Sequence, residues 1–170
     1  MPNQYTSIHL RMKYPVDAIK NDGGFSFERQ KSLITGWATN AVNCAAKLHP
    51  NAAKYYVSSD SSRTIAYLLE ESSFVNNHTA KLVARDYSIE NPHINFAKNL
   101  EPDGFMCVFE DLFIMGLGKC VAHGIGGYGR LAAALSGGKC VMRHRGDSGN
   151  MNVCPQPPSS NSLQKGLPSQ

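Results

Sequence analysis

The chain has 170 residues, 42% of them hydrophobic and 18% charged, with a formal net charge of +4. That length suits one domain with its own core, and the composition is ordinary for a globular protein. The mild positive charge suits a phosphate-bearing ligand, while no basic stripe interleaved with aromatics points to nucleic acid. The N-terminus, M-P-N-Q-Y-T-S, has neither the basic nor the apolar region of a secretory signal. No run reaches the roughly 18 apolar residues that cross a bilayer. The chain is therefore expected to be soluble as it stands, either cytosolic or lacking its targeting segment.

Residues 5–12, Y-T-S-I-H-L-R-M, alternate Thr6, Ile8 and Leu10 with Ser7, His9 and Arg11, which predicts a strand. Arg11 falls at its carboxyl end, the edge where open α/β sheets bind ligands. It is either a solvated strand-end arginine or a ligand contact. After the Asp22-Gly23-Gly24 turn, a helix is predicted over 26–48, with Ile34, Trp37, Ala41, Val42, Ala45 and Leu48 at helical spacing. Trp37 reads as a core residue rather than a stacking platform. Residues 54–58, K-Y-Y-V-S, form a second predicted strand, and Ser59-Asp60-Ser61-Ser62 leads into a helix over 63–74. Asp60 is an N-cap or a ligand contact at the same edge as Arg11.

A third strand is predicted at 80–84. Residues 85–102 lack periodicity and are long for a plain connection, which marks a candidate functional loop. The helix over 103–116 is apolar on two faces and is expected to be buried. Asp111 within it then needs a partner, as a structural hydrogen bond or as a ligand contact. A fourth strand follows at 119–123, a short helix at 130–136 and a fifth strand at 139–142. Residues 1–150 read as one domain and 151–170, rich in Pro, Ser, Gln and Asn, as a disordered tail. The alternation predicts an α/β fold: a Rossmann-like, doubly wound parallel sheet of about five strands.

Strand, glycine-rich turn, helix, strand at 119–142 is how such a sheet makes a phosphate site, because glycines admit the ligand and a helix N-terminus offers free N–H groups. Gly124-Ile125-Gly126-Gly127-Tyr128-Gly129 satisfies G-x-G-x-x-G. A dinucleotide fold places that unit first, however, and here it is nearly last. The acidic ribose partner would have to be Asp147. An NAD(P)-binding oxidoreductase fragment is thus an alternative, as is a non-enzymatic α/β interaction module. No P-loop or zinc motif occurs, and the six histidines are scattered, so no metal or cofactor is expected. Five cysteines, none in a C-x-x-C pair, read as small buried thiols. Cys120 and Cys140 fall on two predicted strands that could be neighbours, but sequence alone does not pair them.

Three pieces carry a resemblance: I-H-L-R at 8–11, V-S-S-D-S at 57–61, and V-F-E-D-L-F-I-M-G-L-G-K-C-V-A-H-G-I-G-G-Y-G-R-L-A-A-A-L-S-G at 108–137. In order and spacing the chain resembles, over about residues 5–145, the donor-binding half of GDP-fucose-dependent fucosyltransferases. The resemblance implies a C-terminal-type domain of the two-domain GT-B fold that binds GDP-fucose without metal and serves inverting fucosyl transfer to a glycan or protein hydroxyl. By position, Arg11 matches the arginine on the donor's β-phosphate, the residue carrying catalysis, and His9 the histidine beside it. Asp60 and Asp111 match acidic residues around the nucleotide. Gly126, Gly127 and Tyr128 match the phosphate-facing loop before the last long helix. Where many members have Ser or Thr in that turn this chain has Ile125-Gly126-Gly127, so backbone donors are expected to replace the hydroxyl. The N-terminal acceptor-binding half is absent, which makes the chain a fragment, a truncated gene product or a stand-alone donor domain. Golgi or endoplasmic reticulum residence is implied by the resemblance only.

Overall fold

A five-stranded parallel sheet in the order β3-β2-β1-β4-β5 organises the chain. The computed structural model describes residues 4–13, 26–72, 81–86, 102–146, 150–152 and 154. The strands are β1 (Tyr5–Leu10), β2 (Lys54–Ser59), β3 (Lys81–Val83), β4 (Cys120–His123) and β5 (Val141–Arg143). The helices are α1 (Lys31–Leu48), α2 (Ser62–Ala66, continued by a π-helical turn over Tyr67–Glu71), α3 (Pro102–Gly116) and α4 (Gly127–Leu135). Each predicted strand and helix is present, with ends moved by up to a few residues. The largest shift at a helix start follows from Ser26–Gln30 forming turns before α1.

The chain winds outward from β1 to β3, then returns to place β4 on the other side of β1. His9 thus pairs with Ser58 of β2 and with His123 of β4. Reversal of direction at β1 sends the later helices to the opposite face, because parallel crossovers are right-handed. Side-chain alternation follows suit. Ile8, Leu10, Tyr55, Val57 and Ala122 face α1 and α2, packing on Ile34, Ala38, Val42 and Leu68. Tyr56 and Val121 face α3 and α4, packing on Leu112, Met115, Ala132 and Ala133. Ile8 and Leu10 have no exposed surface, and full burial of such a side chain contributes about 1.5–3 kcal/mol. The two polar residues between them and the strand start are satisfied: Thr6 Oγ1 lies 3.0 Å from His49 Nδ1, and Ser7 Oγ donates to the Met115 carbonyl at 3.1 Å.

Two expectations are corrected. The cysteines are not all thiols: Cys120 pairs with Cys140 and Cys44 with Cys154, while Cys107 is free and buried. Cys120 and Cys140 sit at the adjoining starts of β4 and β5, with Cα atoms 4.7 Å apart, which is ordinary disulfide spacing. Nor is α3 buried all round. Leu112 and Met115 face the sheet, but Phe109 and Phe113 are 48% and 63% exposed on its outer side.

Met151, Asn152 and Cys154 are tied to the domain by a bridge to Arg145, a hydrogen bond to His144 and the bond to Cys44. The rest of the expected tail, the loop at 87–101 and Asp147 lie outside the described residues. Among the described residues no helix is long and apolar enough to cross a membrane.

Candidate functional site

The order 3-2-1-4-5 has its topological switch point between β1 and β4, the place where open α/β sheets bind ligands beyond the carboxyl ends of their strands. Arg11 follows β1 on one side of it, and the Gly124–Gly129 turn follows β4 on the other. Gly126 has φ 93°, a left-handed conformation that favours glycine. The Arg11 side chain lies against it: a Cβ at Gly126 would be 3.3 Å from Arg11 Cδ and 3.6 Å from Nη1. Helix α4 begins at the next residue, Gly127. A guanidinium therefore sits beside a helix N-terminus whose first-turn N–H groups have no intrahelical acceptor.

Each glycine of the G-x-G-x-x-G has a steric reason to be glycine. A Cβ at Gly124 would come within 3.0 Å of the His144 ring, and one at Gly129 would come within 2.7 Å of His9 Nδ1 and 2.8 Å of His123 Cβ. Gly127, by contrast, has open space around it. We predict that Gly129→Ala lowers stability by about 1–3 kcal/mol, the range for overpacking. Gly127→Ala should be neutral or stabilising by up to about 1 kcal/mol through the unfolded chain. Thermal denaturation of both variants checks this, and equal losses would contradict the close approach at Gly129.

Three histidines surround the turn. His144 Nε2 donates to the His9 carbonyl at 3.0 Å, and His123 Nδ1 donates to the Gly124 carbonyl at 2.9 Å. The His9 ring packs on Tyr128, with centroids 5.3 Å apart. Among the described residues His9 Nδ1 and His144 Nδ1 are buried with no hydrogen-bond partner. Burial, followed by the neighbouring His144, Arg11 and His123, pushes His9 down to about 3. Burial likewise pushes His144 down to about 4. Both are neutral imidazoles at pH 7.

Asp60 does not cap α2. Ser61 does, accepting from the Thr64 N–H at 3.3 Å. Asp60 instead reaches across to the end of β1, accepting from the Met12 N–H at 2.7 Å and the Lys13 N–H at 3.2 Å. It holds the backbone that carries Arg11. Burial raises its carboxyl above the ordinary value in spite of those bonds and of Arg11 and Lys13 nearby.

Arg145, past the end of β5, donates from Nη1 to the Arg11 carbonyl at 2.8 Å, and its guanidinium lies 3.3 Å over the Trp37 ring. Trp37 packs against the core, as expected, and its outer ring face carries the Arg145 guanidinium.

Asp111 lies deeper, between α3 and β2. Its Oδ1 accepts a short hydrogen bond from the Tyr56 hydroxyl and its Oδ2 accepts from Ser58 Oγ at 2.9 Å. Arg85 Nε is 3.8 Å from Oδ1, and Arg85 Nη1 donates to Cys107 Sγ at 3.0 Å. Burial and the Asp111 carboxylate push the Tyr56 phenol up. The Tyr128 hydroxyl bonds the Val108 carbonyl, locking α4 to α3.

The fold thus brings together His9, Arg11, Gly126, the Tyr128 ring and, behind them, Asp60. Asp111 and the Tyr128 hydroxyl are engaged within the helix–sheet layer. Residues that sequence reasoning did not select are Arg85, His123, His144 and Arg145. All four lie at or just past the end of a strand, so the positional rule that singled out Arg11 and Asp60, applied to every strand, would have found them. A separate cleft of about 320 Å³, lined by Tyr5, Lys54, Tyr56 and Ile114, lies at the amino edge of the sheet, away from this constellation. Among the described residues no group of three or more His, Cys, Asp or Glu could hold a metal ion.

Fold and site together define a Rossmann-like α/β domain with an arginine set against a glycine turn at its switch point. No family model, curated protein or solved structure matches the chain.

Proposed function

We propose that this chain binds the diphosphate of a nucleotide sugar, GDP-fucose by its resemblance, as the donor domain of an inverting fucosyltransferase acting on a glycan or protein hydroxyl. The observation that carries the reading is the Arg11 side chain lying against Gly126 where α4 begins. When the anomeric C–O bond breaks, negative charge moves onto the leaving diphosphate. A guanidinium can bind phosphate oxygens bidentately, and helix N–H groups add donors already oriented, so the charge is stabilised without a metal. Arg145, seated on the Arg11 carbonyl, adds positive charge behind it. His9 is neutral and buried, and it supports the turn by packing rather than by charge. An acceptor-binding partner domain would supply the base for the acceptor hydroxyl.

Calorimetric titration with GDP, UDP and NAD in parallel tests this. GDP is expected to bind without added metal. Arg11→Ala should weaken it by about 1.5–3 kcal/mol, roughly 10- to 150-fold, the range for hydrogen bonds to charged groups. Unchanged affinity in that variant sinks the phosphate assignment. A dinucleotide is the second reading, favoured by the close approaches at Gly124, Gly126 and Gly129, and binding of NAD in place of GDP would select it.

A further inference from the structure

Past β5, residues 143–146, 150–152 and 154 lie against α1 as a strap. The Gly146 N–H donates to the Asn150 carbonyl and the Asn152 N–H to the His144 carbonyl, each at 3.0 Å, while Asn152 Nδ2 donates to the Arg143 carbonyl at 2.9 Å. One stripe of α1 receives the strap. Trp37 lies under Arg145, and Asn40 Nδ2 donates to the carbonyls of His144 and Asn152 at 3.1 and 3.3 Å. One turn further on, Cys44 is bonded to Cys154. Residues 37, 40 and 44 share a helix face because i, i+3 and i+4 positions align. Every tie but the last is a hydrogen bond or a ring contact, each weak against competing water.

We infer that the Cys44–Cys154 disulfide is a positioning device for the candidate site, holding the strap so that Arg145 is seated between Trp37 and the Arg11 carbonyl. Closing it takes two electrons and two protons from the two thiols and passes them, by thiol–disulfide exchange, to a disulfide oxidant, which leaves as a dithiol. The arrangement of Arg145 on the Arg11 carbonyl is therefore complete only in the oxidised chain. Cys44 is fully buried and Cys154 nearly so, so the bond resists exchange once the domain has folded and its state is set during folding.

Trp37 is the sole tryptophan, so its emission reports on the strap. In the full chain, Cys154→Val should shift that emission to longer wavelength, as the guanidinium leaves and water reaches the indole. Arg145→Ala should give a similar shift in the wild-type background and no further shift when added to Cys154→Val. If Arg145→Ala shifts the emission of Cys154→Val as much as that of wild type, Arg145 stays seated without the bond and the inference fails. Should Cys154→Val not fold, the chain with Cys120 and Cys140 both changed to Ala makes the same comparison, refolded from denaturant with and without dithiothreitol present throughout. The significance for ligand binding rests on the proposed function, but the fluorescence result does not. If no variant binds GDP, the proposed function falls while the emission comparison still decides this inference.

Discussion

Replacing Asp111 by Ala is expected to destabilise the domain by about 3–5 kcal/mol, the cost of removing one partner from a buried charged cluster. The carboxylate is 2% exposed and takes hydrogen bonds from Tyr56 and Ser58, with Arg85 3.8 Å away. Its loss leaves two buried hydroxyls without this acceptor and takes a carboxylate away from the Arg85 guanidinium beside Cys107. Tyr56→Phe removes one hydrogen bond and no charge, so it should cost only about 0.5–1.5 kcal/mol. The two substitutions touch one network and should not add. Urea unfolding of the two single variants and the double variant measures this. A loss below about 1 kcal/mol for Asp111→Ala would mean that the network does not hold α3 on the sheet.

Acid should destabilise the protein well above the carboxylate range. His9 and His144 take up protons near 6.5 when unfolded, but in the fold they do so only at about 3 and about 4. Between those values the unfolded chain binds more protons, so stability rises with pH there. The contribution is present in full above about 6.5 and is lost as pH falls toward 4, by up to about 1.4 kcal/mol per pH unit for each group. The physical cause is burial, which strips the charged imidazolium of its hydration, and neither Nδ1 has a hydrogen-bond partner to offset it. Asp60 works in the opposite sense, since its raised carboxyl favours the fold at low pH and loses that advantage as pH rises through its folded value. Two histidines outweigh it in the upper part of the window. Denaturant midpoints at pH 7.5, 6 and 5 should fall in that order, and His144→Gln should flatten the series. Equal midpoints across the three would show that these rings are not held neutral.

The resemblance and the edge rule led to Arg11, and the sheet puts it at the switch point for a local reason. Alternation through β1 buries Ile8 and Leu10, and the strand ends just before the arginine. Gly126 was likewise legible, because a glycine between a strand and a small-residue helix marks a tight turn. Asp60 was placed at the correct edge but given the wrong structural partner. Its neighbour Ser61 is the cap, and a capping pattern in a Ser/Asp cluster does not say which residue takes the role. Arg145 and His144 escaped notice because residues 143–150 carry no periodicity.

What the amino-acid order determined by itself was the element series, the parallel sheet and the glycine turn opening a helix. These follow from patterns within a few residues of each other, where the period of apolar side chains selects strand or helix. What only the tertiary structure decided depends on which distant segments become neighbours. The centring of β1 between β2 and β4 brings His123 beside His9. Crossing of the chain to the second face of the sheet sets Asp111 under Tyr56 and Ser58, while Phe109 and Phe113 turn outward. The return of the final strap over α1 pairs Cys44 with a cysteine 110 residues away. Periodicity records that a side chain is to be buried, but the residue it is buried against is chosen by the whole fold.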